Sequence, residues 1–402
     1  MVIFKLNAFP NISETFIVSN LIYALKKGFK INIYVKRYLG IKNSSQQQLL
    51  EINNVERYVK KSIYQIPYYL KLILLLKGLF NRNIIQTSVE NNLFTSKKGL
   101  LKLVNISLHD FLFKPFVCHV HFNDTLLEFI DFNISKFIKT KFIVTFHGYD
   151  AFTETKESFK KKYGDFYDKH VAYVTVNSLY LKNKVLALGV EASKIKVIPI
   201  GIDNSFFKGQ IKSLPKQKIK LLSVGRLIQL KGHIYGIYAI NELKQLGYNI
   251  EYSIVGKGEE LDFLQAEINR LDLKNEVKLL GGKSQVEIRE IMKSHHVFLM
   301  TSTVDDKTNR EEAFGVVSIE AQAMGLPVVG FRCGGFIETI VEQDTGFLVK
   351  DRDSLGISNV VAELIAQPEK YKKHSKSCIA HAVKFDYSNT TTKYIELYKS
   401  LL

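Results

Sequence analysis

From Ile219 to Phe331 the chain alternates between short apolar runs rich in Val, Ile and Leu and longer segments with apolar residues at helical spacing. Ile219–Val224, Ile250–Val255, Val277–Leu280, Val297–Thr301 and Val328–Phe331 read as buried strands. Ile234–Leu246, Glu259–Arg270, Ser284–Ser294 and Val316–Met324 read as the helices between them. Parallel strands need long crossovers, and helices supply them, so this alternation predicts a doubly wound parallel sheet. The first half carries the same pattern: strand Val2–Leu6, helix Ser13–Lys27 with Ser13 as N-cap, then strands Ile31–Val35, Lys141–Phe146, Val171–Val176 and Val197–Ile200. Phe16, Ile17, Leu21, Ile22 and Leu25 set the helical period. Residues 202–217 are polar with Gly and Pro and read as a linker. The expected fold class is therefore α/β with two Rossmann-like domains, 1–205 and 206–386, followed by an amphipathic segment Tyr387–Leu402.

At 402 residues, 46% hydrophobic and 24% charged, the chain has the composition of an ordinary globular protein with a large core. It has no run of about 18 uncharged apolar residues, so no membrane-spanning helix is expected. Met1-Val-Ile-Phe-Lys-Leu has no charged region followed by a cleavage site, so no signal peptide is read. Cys118, Cys333 and Cys378 are scattered without metal spacing and read as reduced cytoplasmic thiols. The net charge of +17 is uneven: residues 1–200 hold 29 Lys+Arg against 14 Asp+Glu, and residues 201–402 hold 27 against 25. A polyanionic partner for the first half follows, either an anionic membrane, an acidic glycan or nucleic acid. The alternative is a lysine-rich surface drawn from a biased composition. No nucleic-acid recognition motif accompanies the charge, and nucleic acid is not the expected partner.

Several constellations carry chemistry. Glu312-Ala-Phe-Gly-Val leads into Val-Ser-Ile-Glu320-Ala-Gln-Ala-Met, so the two carboxylates stand about two helical turns apart, one before a helix and one on it. The amides of Phe314, Gly315 and Val316 fall at that helix's N-terminus, where unpaired N–H groups and a partial positive charge favour phosphate. Carboxylates accept hydrogen bonds from sugar hydroxyls, so the site suits a nucleotide sugar. Gly225-Arg226, with Lys231 and Gly232 beyond, follows a strand and places two cations at its carboxyl end, where open α/β sheets bind ligands. Arg grips phosphate with two donors and Lys acts as a point charge. Gly256 belongs to a Gly-x-Gly turn after the next strand. In the first half His147, Gly148 and Asp150 follow a strand end, and His119 and His121 share one face of another strand. No Cys or carboxylate completes a zinc set with these histidines. Asp305 and Asp306 are adjacent rather than spaced as a metal-binding pair. Ser13, Glu14 and Thr15 fit a helix cap with a first-turn acid.

The stretch Glu312–Gly330 resembles the signature of retaining glycosyltransferases of family 4, which adopt the two-Rossmann-domain GT-B fold. Arg226 and Lys231 are similar to that family's pyrophosphate-gripping cations, the Gly256 turn to a loop near the nucleotide, and Phe331–Glu338 to its Gly-Gly-x-x-Glu turn. His147 and the Cys118–Phe122 segment resemble the family's His-Gly and His-x-His-Phe elements. Phe9-Pro-Asn-Ile-Ser13-Glu14-Thr15-Phe resembles the branch that builds bacterial exopolysaccharide, capsule and O-antigen chains, without the Gly-Gly loop common elsewhere in the family. The resemblance covers nearly the whole chain.

It implies two domains facing a central cleft, with the C-terminal helix 387–402 crossing back to the first. It implies hexose transfer from a UDP- or GDP-type donor to a lipid-linked saccharide acceptor, with no metal and no cofactor. Arg226 and Lys231 would neutralise the leaving diphosphate, Glu320 hold the ribose and Glu312 the donor sugar. Gly225, Gly256, Phe314, Gly315 and Val316 would line the donor, and His147 would lie at its sugar face. Ser13, Glu14, Thr15, His121 and Asp150 are the acceptor or loop candidates. Whether retention proceeds by front-face attack or a covalent intermediate stays open. A GT-B phosphorylase and a nucleic-acid-binding protein are the alternatives. The expected location is cytoplasmic, peripheral at the inner face of the cell membrane. Residues 62–82 combine aromatics, leucines and lysines and fit either an anionic membrane surface or the domain core.

Overall fold

The computed structural model describes residues 1–10, 15–41, 55–61, 65–90, 92–112, 117–131 and 140–402. Ser13 and Glu14 lie outside them, and Thr15 opens the first described helix. The chain divides into two compact units. The first holds Met1–Val176, Lys182–Ile198 and Thr391–Leu402; the second holds Asn177–Leu181 and Pro199–Thr390.

Among the described residues, the first unit is built on seven parallel strands: β1 (Val2–Phe9), β2 (Ile31–Tyr38), β3 (Val59–Lys61), β4 (Val117–His121), β5 (Lys141–Thr145), β6 (Val171–Val176) and β7 (Ile195–Val197). Their order is β3-β2-β1-β4-β5-β6-β7. β1 runs beyond the expected Leu6 because Ala8 and Phe9 still pair with Arg37 and Tyr38. The strand expected at Val197–Ile200 instead occupies Ile195–Val197, and Ile198 only continues its direction by donating its amide to Val176. One core joins Phe4, Leu6 and Ile33 of the sheet to Ile17 and Leu21 of helix Thr15–Lys26 and to Tyr394, Ile395 and Tyr398 of the last helix, Tyr387–Leu401. That apolar stripe explains why the chain's final turns cluster with its first residues.

The second unit has β8 (Ile219–Val224), β9 (Ile250–Val255), β10 (Val277–Leu279), β11 (Val297–Met300), β12 (Val328–Phe331) and β13 (Gly346–Val349), ordered β10-β9-β8-β11-β12-β13 and parallel throughout. Helices His233–Gln245, Leu261–Arg270 and Ser354–Ala366 bury Ile237, Ile240, Leu264, Ile268, Ile357 and Val361 on one face. Helices Gln285–Ser294 and Val316–Ala323 bury Met292 and Ile319 on the other. The helix expected from Ser284 begins at Gln285, with Ser284 and Glu287 forming a reciprocal capping box. In both sheets the strand order turns back beside the first strand, between β1 and β4 and between β8 and β11. Such a switch leaves a crevice at the carboxyl ends of the strands, so the candidate sites belong there.

Candidate active site

In the second unit the crevice is built from the end of β8 and the loop after β11. Gly225 follows β8 and lies against the aliphatic stem of Lys231. Gly256, expected to line the donor, also sets the backbone packing of this crevice. A Cβ there would sit 1.8 Å from the Gly225 carbonyl oxygen, and its own amide is donated to Gly281 at 3.0 Å. Gly256 therefore lets two loops touch, and its N–H is already committed. Arg226 is exposed and pairs with no carboxylate among the described residues. Its carbonyl is held at 3.2 Å by Nε2 of His233, the first residue of helix His233–Gln245.

Lys231 closes the short turn Gln229–Lys231. Gly232 next to it takes φ 54°, and a Cβ there would meet the Thr301 carbonyl at 2.2 Å, so only glycine lets the Lys231 turn press against the end of β11. The Lys231 ammonium pairs with the Glu312 carboxylate, which Ser302 Oγ also approaches at 3.4 Å. Burial pushes the Glu312 carboxyl up, but the Lys231 charge and hydrogen bond, with the Phe314 amide and Ser302, outweigh it and hold the group below its usual value. The Phe314 ring is buried in the core, so its backbone is the part available to the site.

Gly315 remains as the N-cap of helix Val316–Ala323, with φ 81° and no side-chain cap. The amides at this helix start are therefore not satisfied by a capping side chain, which suits an anion. Glu320, one turn further on, has its carboxyl pushed up to about 7 by burial.

The loop that carries Glu312 is braced from behind. Gly335 donates to the Glu312 carbonyl at 2.7 Å, and Gly334 donates to Glu311 Oε2 at 2.8 Å. A Cβ on Gly334 would meet the Glu312 carbonyl at 2.2 Å, and one on Gly335 the Ala313 carbonyl at 2.0 Å, so this Gly-Gly turn works by close backbone approach. Asp305 accepts amides of its own turn from Lys307 and Thr308, and Asp306 pairs with Arg352 at 2.5 Å. Both acids serve loop structure, and the described residues contain no group of three or more ligating side chains placed to hold a metal.

The first unit's crevice holds three histidines. His121 Nδ1 lies 3.0 Å from His147 Nε2. His119 rests on His121 with ring centroids 4.1 Å apart. Phe16 and Phe122 flank the His147 ring at 4.9 and 4.5 Å. Burial pushes the His147 and His119 imidazoles down to about 3, and that of His121 well below its ordinary value, so the cluster is neutral at physiological pH. Asp150 was an acceptor or loop candidate. It is buried, with Oδ1 accepting the His147 and Gly148 amides and Oδ2 the Asn123 amide, each at 3.0 Å. Its role is to lock the turn that presents His147. His121 is likewise fully buried and meets His147 rather than solvent.

Sequence reasoning missed His233 and Ser302, which support Arg226 and Glu312. The short distance of His233 from Lys231 along the chain was the only available signal. Sheet order alone brings Ser302 and Glu312 to the Lys231 turn.

Residues 204–380 match the family model described as Glycosyl transferases group 1, and residues 93–206 that of Glycosyltransferase Family 4. The chain is 31% identical over 230 residues to the amylovoran biosynthesis glycosyltransferase AmsK of Erwinia amylovora, covering 57% of this chain and 56% of that one. It is 26% identical over 205 residues to the GDP-mannose-dependent alpha-(1-6)-phosphatidylinositol monomannoside mannosyltransferase of Mycolicibacterium smegmatis, covering 49% and 54%. The chain spans a little over half the length of each of these two relatives. Among solved structures, HepE of Anabaena in complex with UDP is similar over 100% of both chains, with a TM-score of 0.74 at 18% identity. That likeness establishes the GT-B fold.

Proposed function

We propose a retaining hexosyl transfer for this chain, which belongs across residues 93–380 to the glycosyl transferases of group 1 and family 4. The donor is a nucleoside-diphosphate sugar of UDP or GDP type, and the acceptor is a hydroxyl of a growing lipid-linked saccharide in surface polysaccharide biosynthesis. The observation that carries this reading is the grouping of Arg226, Lys231 and Glu312 at the β8–β11 crevice beside the uncapped helix start at Gly315. Diphosphate charge that develops as the sugar leaves meets the Arg226 guanidinium, the remaining donors of Lys231 and the Gly315 and Val316 amides. Glu312 holds sugar hydroxyls, Glu320 the ribose, and His147 the sugar face of the donor. The amylovoran assignment of AmsK and the UDP bound to HepE support the process and the donor class. A panel of UDP and GDP sugars, scored by slow hydrolysis and by thermal shift, tests the reading. Stabilisation by no nucleotide in the panel overturns it. The two cations and the helix start carry the leaving charge without a metal, so hydrolysis of the accepted donor should persist in EDTA. Loss in EDTA with recovery on adding magnesium or manganese would refute the metal-free part alone.

We place this reaction at the inner, anionic face of the cell membrane. Helix Tyr68–Leu79 supports that placement, because its buried residues are Leu74 and Gly78 while Tyr68, Tyr69, Leu72, Ile73 and Leu76 are exposed and the following Phe80 is 89% exposed. Leu74 is buried while Leu72 and Leu76 are exposed, which favours the surface over the core reading for those two leucines. Lys71, Lys77 and Arg82 stand in and beside the helix, an apolar face with basic neighbours that suits an interfacial helix. No helix of the described residues is long and apolar enough to cross a membrane. Ser62, Ile63 and Tyr64 of the same segment lie outside the described residues. Each cation near an anionic surface adds about 1 kcal/mol, and salt weakens the term. The protein should float with anionic vesicles at low salt, and Lys71→Glu with Lys77→Glu should abolish flotation. No flotation of the folded wild type at low salt would remove the membrane from the proposal and leave the donor chemistry standing.

A further inference from the structure

The first unit ties its histidine cluster to the far end of the chain. His119 Nδ1 lies 2.6 Å from the Tyr398 hydroxyl, and His119 Nε2 lies 2.6 Å from Thr145 Oγ1. Thr145 Oγ1 is in turn 2.5 Å from Thr175 Oγ1. All four side chains are buried. Two hydroxyls on opposite edges therefore fix the His119 ring against rotation and select its tautomer. A chain of donors running one way satisfies them all: the Tyr398 hydroxyl donates to Nδ1, Nε2–H donates to Thr145, and Thr145 donates to Thr175. His119 then forms a rigid floor under His121 through the 4.1 Å ring contact. Phe4, whose ring meets His119, His121 and Tyr398, packs against the same cluster. His121 has no hydrogen-bond partner for Nε2 among the described residues, so its polar anchorage is the 3.0 Å bond to His147. Its strand pairing and ring packing keep His121 aimed at that bond.

We propose that Tyr398, with His119, is a positioning residue for His147, so that the C-terminal helix sets the orientation and tautomer of the imidazole at the donor's sugar. The inference rests on the reading of His147 given above. The helix that ends the chain thereby becomes part of the catalytic apparatus without touching substrate. Tyr398 reaches His147 through one bond to His119, one ring contact to His121 and one bond between His121 and His147, and the first two links are fully buried, where small displacements are costly.

The test compares Tyr398→Phe, which removes only the hydroxyl, with Thr145→Val and Thr145→Ser. Tyr398→Phe and Thr145→Val should each lower kcat about tenfold by mis-setting a reacting group, with donor KM unchanged because Arg226 and Lys231 are intact. Thr145→Ser, which keeps the hydroxyl, should restore kcat. Nitrogen-15 spectra of the histidine rings should show one tautomer of His147 in the wild type and exchange between two in Tyr398→Phe. Unchanged kcat and unchanged His147 ring signals in Tyr398→Phe and Thr145→Val, with only a lower melting temperature, would overturn the proposal. A mixed His147 tautomer in the wild type would do so without any variant. His147→Ala separates the two readings: full turnover there removes His147 from the reaction. Inactivity of that variant beside a normal Tyr398→Phe removes only the positioning role.

Discussion

Arg226→Ala is expected to lower turnover at saturating donor by about 100-fold or more, and Lys231→Ala by a similar factor, since each removes a cation aimed at developing diphosphate charge. The two variants should differ in stability. Arg226 is exposed and pairs with no carboxylate among the described residues, so its loss leaves nothing unpaired and the melting temperature should hold. Lys231 is the ion-pair partner of Glu312, whose side chain is only 14% exposed. Removing it strands a buried carboxylate, a kind of change that costs about 3 kcal/mol or more. The pH dependence gives the sign. Glu312 is held below its ordinary value, so the pair stabilises the fold above the carboxyl's unfolded value near 4.5 and that contribution is lost as pH falls through the lower folded value. The melting-temperature deficit of Lys231→Ala should therefore be full at pH 7 and shrink on acidification. Lys231→Ala combined with Glu312→Ala should recover stability while staying inactive. Turnover near wild type in both single variants would end the leaving-group assignment.

The second unit was legible because its strands are buried on both faces. Ile219–Val224, Ile250–Val255 and Val328–Phe331 are short, predominantly apolar runs, and each falls where the pattern put it. Strand β13 escaped because it is four residues long and begins at Gly346. Helix Lys156–His170 escaped for another reason. Its mean composition is polar and lysine-rich, while the signal lay in a single stripe of Phe159, Tyr163, Phe166 and Tyr167 behind a Thr155 cap. Within the site, residue identity was readable but pairing was not. Nothing local to Lys231 announces Glu312, because only the adjacency of β8 and β11 brings them together. The same holds for His119 and Tyr398, which meet through the last helix. Gly256 shows the same limit: a Gly-x-Gly after a strand announces a turn, but that the turn packs against the Gly225 carbonyl is visible only in the fold.

Glu320→Gln should weaken binding of bare UDP or GDP by about tenfold or more, the usual loss when a charged acceptor of hydroxyl hydrogen bonds is neutralised. Glu312→Gln should behave differently. Glu312 occupies Lys231 in the ligand-free protein, so neutralising it frees that cation and leaves bare-nucleotide affinity equal or higher while turnover falls. Equal weakening of bare-nucleotide binding in the two variants would contradict this division of roles. The protonation of Glu320 adds an independent signature. Its carboxyl stands at about 7, raised by burial from 4.5. A raised acid stabilises the fold fully below its unfolded value, and that contribution is lost as pH rises through the folded value. Gln stays neutral throughout, so the variant should match wild type near pH 4 and exceed it increasingly up to pH 8. Each pKa unit is worth about 1.4 kcal/mol, which caps the gain at about 3 kcal/mol. Ribose hydroxyls favour the ionised carboxylate, so nucleotide binding near pH 6.5 should expel a proton from wild type and none from Glu320→Gln. Calorimetry of UDP or GDP binding in two buffers of different ionisation enthalpy reads this directly. Buffer-independent heats for the wild type at pH 6.5 would show that Glu320 does not face the bound nucleotide.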